Sequence, residues 1–238
     1  MKKNVWSIAP LILLATISLQ AATETDTPLR IISGLPKSGT HLLKKVAETL
    51  TGTRAMWIKR YMGTYKDLNE KAIEQATRTR QILLSAHLHG TPENIALIKT
   101  HGIRTVFIYR DPRDQAVSLA YYLHRMNPRA RQMFANGLFN LSLGTEQITR
   151  EELLTLIISR LTESYALFMP LAKEKSILAI RFEDLVGQKG GGSEEASLMT
   201  IERIAEMLEG TVDERKIHTI ANSLFGGTMT FRKGKIGQ

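Results

Sequence analysis

The chain is organised around one run of sequence, Leu29-Arg30-Ile31-Ile32-Ser33-Gly34-Leu35-Pro36-Lys37-Ser38-Gly39-Thr40-His41-Leu42-Leu43. It predicts a buried strand, a turn bracketed by two glycines and the start of a helix. Gly34 and Gly39 lie five residues apart, which is the spacing of the two glycines in a P-loop. Such a turn directs backbone N–H groups and a helix N-terminus at an anion. The run therefore predicts a phosphate-type site, with the alternative that the turn merely connects two elements.

The position of the lysine separates this loop from that of the nucleotide kinases. Their loop ends in Gly-Lys-[Ser/Thr], whereas here Gly39 is followed directly by Thr40 and the lysine, Lys37, lies inside the loop. A nucleotide or phosphoryl-transfer enzyme on a P-loop scaffold is therefore the weaker of the enzymatic hypotheses.

Composition limits the class of protein. The 238 residues predict one large domain, and 43% hydrophobic residues can bury a substantial core. The net charge of +9 suits an anionic ligand or an acidic surface, or is simply a solvated basic surface. Nucleic acid is disfavoured because only 6% of the residues are aromatic and no recognition module is present. The absence of cysteine excludes disulfides, thiolate catalysis and zinc–thiolate sites.

The N-terminus has the pattern of a targeting segment. Lys2-Lys3 precede an apolar run from Val5 to Leu19, which is short for a membrane span of about 20 residues. We expect residues 1–22 to be a signal peptide or membrane anchor and residues 23–238 to be a single domain. This predicts the secretory pathway, the periplasm or a membrane-anchored location. The alternative is a cytoplasmic protein whose N-terminal helix packs on the domain.

Strands and helices alternate from residue 29 to residue 181. This pattern predicts an α/β fold of three layers, with a central parallel sheet covered by helices on both faces. We also predict a helix capped by Asp67, an irregular segment at 128–140 with one short helical piece, and a long helix from a capping box at Thr149 to Met169. In such folds ligands bind where the strands end. The side chains that follow predicted strands are those of Lys37, His87, Arg110 and Arg181.

A second candidate site follows the strand at 104–109. If Asp111 caps the next helix, Ser118 lies two helical turns further along, and Arg110 and Ser118 are able to hold one phosphate. The alternative is that Arg110 pairs with Asp111 or Asp114 while Ser118 bonds within its own helix.

Four motifs resemble those of sulfotransferases that use 3′-phosphoadenosine-5′-phosphosulfate (PAPS). Residues 36–40 resemble the 5′-phosphosulfate loop of that family, residues 110–118 its 3′-phosphate motif, residues 181–185 a landmark that is mostly structural, and residues 231–237 its Arg-Lys-Gly loop. The resemblance implies a P-loop-like fold, PAPS as cosubstrate and no metal. The donor-binding residues that it implies, with His41 added from the first turn of the loop helix, are Pro36, Lys37, Ser38, Gly39, Thr40, His41, Arg110, Ser118, Arg232, Lys233 and Gly234.

The resemblance also implies a general base and a group that stabilises the leaving phosphate. His87 ends the strand before the 3′-phosphate strand, the place of the family's basic histidine, and Lys37 matches the lysine near the bridging oxygen. His89 and His41 compete for the role of base. Lys99-Thr100-His101 copies the family's Lys-Thr-His triplet but lies too close to Arg110, and we interpret it as coincidence.

We therefore predict a PAPS-dependent sulfotransferase that acts by in-line displacement on a hydroxyl or amine of a small molecule, glycan or lipid. The acceptor and the oligomeric state are left open. The departures from the family are Leu42 in place of a tryptophan, Ala86 in place of a lysine, and a chain that stops at Gln238. The missing lysine and the short tail favour a further alternative, a degenerate relative that binds the nucleotide without catalysis or binds nothing.

Overall fold

The computed structural model describes residues 28–62, 64–143, 148–225 and 236. The expected targeting segment at 1–22 and the predicted ligands at 232–234 lie outside these ranges. The strands of the described residues are β1 (Arg30–Gly34), β2 (Met56–Trp57), β3 (Leu83–Ala86), β4 (Arg104–Tyr109) and β5 (Ile177–Arg181).

Helices connect the strands and extend beyond the last of them. They are α1 (Thr40–Thr51), α2 (Lys59–Met62), α3 (Glu70–Arg78), α4 (Pro92–Thr100), α5 (Pro112–His124), α6 (Pro128–Phe139), α7 (Arg150–Ser159), α8 (Leu161–Lys173), α9 (Phe182–Leu185), α10 (Glu194–Glu209) and α11 (Glu214–Ser223). Across the described ranges, no helix is long and apolar enough to cross a membrane.

The strands form one parallel sheet in the order β2-β3-β1-β4-β5. The central strand, β1, pairs with β3 on one side and β4 on the other. The carboxyl ends of these three strands therefore lie side by side at one edge of the sheet. The predicted α/β fold with a P-loop-like parallel sheet is confirmed.

Neighbouring residues of β1 face opposite cores. Ile31 packs with buried residues of α3 to α8, and Ile32 packs with those of α1, α9, α10 and α11. This alternation is the period of two that a strand imposes on its side chains. Burying each such side chain contributes about 1.5–3 kcal/mol, so two-sided burial stabilises the strand that carries the loop.

Two predictions about helices differ from the structure. Asn69, not Asp67, caps α3, since its side chain accepts a hydrogen bond from the Ala72 amide. The segment at 128–140, predicted to be irregular with one short helical piece, is helical from Pro128 to Phe139 as α6. Asn127 caps α6 and Pro128 occupies its first position, both ordinary helix-start signals.

The helix predicted from the capping box is two helices. The box at Thr149 is confirmed, but α7 ends at Ser159 and α8 continues past Met169. Pro170 lies inside α8, and the Gly90 amide donates to the Leu167 carbonyl beside it at 2.7 Å. Because a Cβ on Gly90 would lie 2.7 Å from Pro170 Cβ, the chain after β3 packs directly on α8.

Candidate active site

Two glycines allow the loop between β1 and α1 to lie against its neighbours. A Cβ on Gly34 would lie 2.5 Å from Ile108 Cγ2, and one on Gly39 would lie 2.6 Å from Phe182 Cδ2. Gly39 also has a φ of 99°, in the left-handed region that glycine adopts without strain. The loop is therefore held tightly between β4 and α9, and α1 begins directly at its end.

The two hydroxyl side chains of the loop have different surroundings. Ser38 Oγ is buried and contacts the carbonyls of Leu35 at 2.6 Å and Ile108 at 3.0 Å, so it braces the loop against β4. Thr40 Oγ1 is also buried, but it has no hydrogen-bond partner among the described residues. A buried hydroxyl left unsatisfied costs about 1–3 kcal/mol, which an acceptor placed in the loop would recover.

Lys37 adopts a left-handed backbone conformation, with a φ of 71°. Its ammonium nitrogen lies 4.3 Å from the centre of the Tyr122 ring on α5. Its charge lowers the pKa of His41 and of His87, although burial is the larger cause at both imidazoles. The ammonium therefore lies within electrostatic reach of both histidines.

His87 is buried at the end of β3, beside the loop. Its Nδ1 lies 2.7 Å from the carbonyl oxygen of Gly34. Because a carbonyl only accepts, Nδ1 carries the proton and Nε2 presents a lone pair. Burial, opposed by this hydrogen bond and supported by the charges of His41 and Lys37, lowers the pKa of His87 from 6.5 to about 4. The imidazole is therefore neutral near pH 7 and able to accept a proton.

An aromatic cluster surrounds the His87 ring. The Trp57 ring centre lies 5.4 Å from that of His87, 5.6 Å from that of Tyr65 and 5.9 Å from that of His41. Trp57, Tyr65 and His41 are each half-buried. The base candidate is thus bordered by half-buried aromatic residues, which suit an apolar or planar molecule.

Arg110 follows β4 and is held on several sides. Its Nη2 lies 3.2 Å from Asp114 Oδ2, and its Cζ lies 4.4 Å from the centre of the Phe182 ring. The Tyr165 hydroxyl donates to its carbonyl at 3.0 Å, and the following amide donates to Glu183 Oε1 at 2.8 Å. The predicted alternative pairing with Asp114 is therefore present, and it orients a buried guanidinium beside the loop.

Ser118 lies on the face of α5 that is turned to the loop. Gln115, three residues earlier, is buried and donates from Nε2 to the Pro36 carbonyl at 2.9 Å. Tyr122, four residues later, carries Lys37 over its ring. Because residues three and four apart share a helix face, Ser118 lies between two contacts of α5 with the loop.

A family model described as the sulfotransferase domain matches residues 28–225. The chain belongs to the sulfotransferase family. No curated protein sequence matches this sulfotransferase-family chain at a significant level.

Solved structures show the same fold at low sequence identity. Mouse sulfotransferase SULT7A1 complexed with PAP has a TM-score of 0.55 and 20% identity, covering 89% of this chain and 77% of its own. Retinol dehydratase with androsterone and the inactive cofactor PAP has a TM-score of 0.51 and 17% identity, covering 83% and 65%. Retinol dehydratase with retinol and PAP has a TM-score of 0.50 and 16% identity, covering 83% and 66%. The chain thus spans just under two thirds of the retinol dehydratase chains.

The other histidines named in the sequence hypotheses differ from one another in their surroundings. His89 is buried, with Nε2 3.0 Å from the Leu138 carbonyl and its ring edge-on to Phe168. His101 pairs with Glu70 at 2.6 Å at the end of α4, so the Lys-Thr-His triplet is a surface feature there. His41 alone of these three belongs to the aromatic cluster beside His87. Across the described ranges, no group of three or more His, Asp or Glu residues is placed to hold a metal.

Three residues that shape the site were missed from the sequence. Gln115 holds the Pro36 carbonyl, Tyr122 holds Lys37, and Tyr165 bonds the Arg110 carbonyl. Phe182 and Glu183, by contrast, belong to the segment 181–185 that the resemblance marks as mostly structural, and they contact Arg110 and the amide after it. A polar Gln115 among the apolar positions of α5 was the one available signal, because a buried amide needs a partner.

Proposed function

We propose that this chain transfers the sulfuryl group of PAPS to a hydroxyl or amine of a small-molecule acceptor. The observation that carries the proposal is the unsatisfied Thr40 hydroxyl in a loop flanked by Arg110 and a neutral His87. Membership of the sulfotransferase family and the PAP in similar structures support it.

The donor site combines a loop and an arginine on adjacent strand ends. The first N–H groups of α1 have no acceptor within the helix, and with Thr40 Oγ1 and Lys37 they suit the 5′-phosphosulfate. Arg110 and Ser118 suit the 3′-phosphate, since a guanidinium fork matches phosphate oxygens. Arg232, Lys233 and Gly234 remain predicted further ligands of that phosphate.

His87 and Lys37 carry the proposed chemistry. His87 Nε2 accepts the proton of the acceptor hydroxyl while the new O–S bond forms and the S–O bond to the 5′-phosphate breaks. A positioned base contributes about 10²- to 10⁴-fold. Lys37 neutralises charge on the leaving phosphate oxygen, by the electrostatic logic of phosphoryl transfer. Negative charge from the donor would raise the pKa of His87 from about 4 towards neutrality and make it a stronger base.

The aromatic cluster favours a small acceptor with an apolar or planar body. Trp57 and Tyr65 offer half-buried ring faces within 6.4 Å, centre to centre, of the His87 ring. Androsterone and retinol are the small molecules bound in the retinol dehydratase structures. A ring placed on this surface would bring a hydroxyl to His87.

Donor binding is tested by calorimetric titration of the full chain with PAP and with ATP, each once in the presence of a chelator and once in the presence of magnesium. We expect PAP to bind and ATP to bind much more weakly, because Arg110 reads the 3′-phosphate. The Arg110→Ala variant should weaken PAP binding at least tenfold, since a charge-assisted bond is worth about 1.5–3 kcal/mol. Arg113→Ala is the matched control, because Arg113 lies in the same turn but is 88% exposed. A preference for ATP with magnesium would overturn the proposal in favour of phosphoryl transfer.

Catalysis is tested separately by following product formation from PAPS with a panel of small alcohols, phenols and amines. We expect His87→Asn to keep PAP affinity, since Asn is able to donate to the Gly34 carbonyl, while transfer falls about 10²- to 10⁴-fold. Unchanged transfer by this variant would rule out His87 as the base. PAP binding without transfer by the wild-type protein would favour the non-catalytic alternative.

A further inference from the structure

The face of α5 that meets the loop contacts both the backbone and the side chain of the Pro36-Lys37 pair. Gln115 donates to the Pro36 carbonyl at 2.9 Å, and the Tyr122 ring lies under the Lys37 ammonium at 4.3 Å. Gln115 and Tyr122 are seven residues apart, so both project from the same side of the helix. The lysine is therefore fixed at its main chain and at its charged end by one rigid element.

The contact between Tyr122 and Lys37 has the geometry of a cation–π interaction. A cation within about 6 Å of a ring centre is attracted to the negative face of the ring. Tyr122 is half-buried and is itself supported edge-on by Phe134, with ring centres 5.4 Å apart. The ring thus has a fixed position on which a flexible lysine side chain is able to rest.

We propose that Tyr122 is a positioning residue that holds the Lys37 ammonium at the mouth of the loop. A lysine side chain has several rotatable bonds, and its ordering has an entropic cost of up to about 2 kcal/mol. The attraction between the Tyr122 ring and the ammonium offsets that cost before the donor binds. The charge of Lys37 is therefore already in place when the leaving phosphate forms. The catalytic part of this inference rests on the proposed sulfuryl transfer, whereas the placement of Lys37 does not.

The chain offers matched variants for a test. Tyr122→Leu removes the ring face, Tyr122→Phe keeps it, and Tyr122→Met is a second variant without a ring should the leucine fail to fold. Tyr121→Leu is the control, because the ring of the neighbouring Tyr121 contacts a different cation. Its centre lies 4.9 Å from Cζ of Arg150. Thermal unfolding of each variant measures whether the fold is kept.

The first readout is independent of activity. Lysines of the full-length protein are ¹³C-dimethylated, which keeps their charge, and the Lys37 signal is identified by its loss in Lys37→Arg. Ring current should shift this signal upfield in the wild type, Tyr122→Phe and Tyr121→Leu, but not in Tyr122→Leu or Tyr122→Met. An unshifted wild-type signal, or a shift that survives in Tyr122→Leu, would overturn the placement of Lys37.

The second readout is kcat measured together with PAP affinity. We expect kcat to fall roughly three- to tenfold in Tyr122→Leu, with PAP affinity reduced as well because PAP retains the phosphate that Lys37 faces, and both to recover in Tyr122→Phe. Equal losses in Tyr122→Leu and Tyr122→Phe, or no loss in either, would overturn the catalytic role. A wild-type protein without transfer activity would contradict the proposed function, while the Lys37 signal would still decide where the lysine rests.

Discussion

The buried histidine beside the loop makes the stability of this protein depend on pH. Burial lowers the pKa of His87 from 6.5 to about 4. Between these values the unfolded chain binds a proton that the folded chain does not, so the free energy of unfolding falls as the pH is lowered through this window. A difference of about 2.5 pKa units corresponds to about 3 kcal/mol lost between pH 7 and pH 4.

His87→Asn isolates this contribution, because asparagine does not titrate and is able to replace the Nδ1 hydrogen bond to Gly34. The stability of the wild type minus that of the variant should decrease by about 3 kcal/mol from pH 7 to pH 4. For a domain of this size the corresponding change in the difference of Tm is roughly 6–12 °C. Burial also lowers the pKa of His89, but His89 is present in both proteins and its contribution cancels.

The assay is denaturant unfolding followed by circular dichroism at several pH values between 4 and 7.5. A difference between the two proteins that stays constant over this range would refute the reasoning, because it would mean that His87 titrates alike in the folded and unfolded chain. A difference that grows as the pH falls would give the opposite sign and require a protonated His87 in the folded state.

Three further substitutions test the supports of the site. Gln115→Leu leaves a loop carbonyl without its buried donor; we expect a loss of about 1–3 kcal/mol in denaturant unfolding and weaker PAP binding in calorimetry. Gly39→Ala places a Cβ 2.6 Å from the Phe182 ring and should abolish PAP binding, whereas Gly52→Ala, also at positive φ but with nothing within 4 Å, should cost only about 1 kcal/mol of stability. Tyr165→Phe removes the hydroxyl that bonds the carbonyl after β4; we expect a loss of about 1 kcal/mol in thermal unfolding and a several-fold rise in the Kd for PAP. Wild-type affinity in any of the PAP titrations would contradict the corresponding support.

The parts of the fold that could be predicted were those encoded by short-range pattern. The strand at Arg104–Tyr109 was placed correctly because its apolar run is bounded by clear breaks. The loop was recognised because its glycines are close in sequence and their backbone requirement is local. Only a short piece of α6 was predicted, although Asn127 and Pro128 signal its start, because Gly137 and several polar residues weaken its apolar stripe.

The supports of the site could not be predicted, because they join residues that are distant in sequence. Gln115 meets Pro36 across 79 residues, and the amide after Arg110 meets Glu183 across 72. Nothing in the local sequence of either partner specifies the other. Asp67 and Asn69 illustrate a smaller uncertainty, since both suit a helix cap and only the position of the first turn of α3 decides between them. The roles of the predicted site residues stay predictions that the proposed experiments decide.

Because these contacts join residues that are distant in sequence, they affect the order in which parts of the domain fold during synthesis. The loop is encoded near the start of the domain, yet the residues that brace it belong to β4, α5 and α9, of which the last begins at Phe182. During synthesis the loop must therefore leave the ribosome about 140 residues before its last brace is available, and long-range parallel pairing is slow to form. The candidate donor site should be among the last parts of the domain to mature, so that a nascent chain gains this site only when its fold is nearly complete.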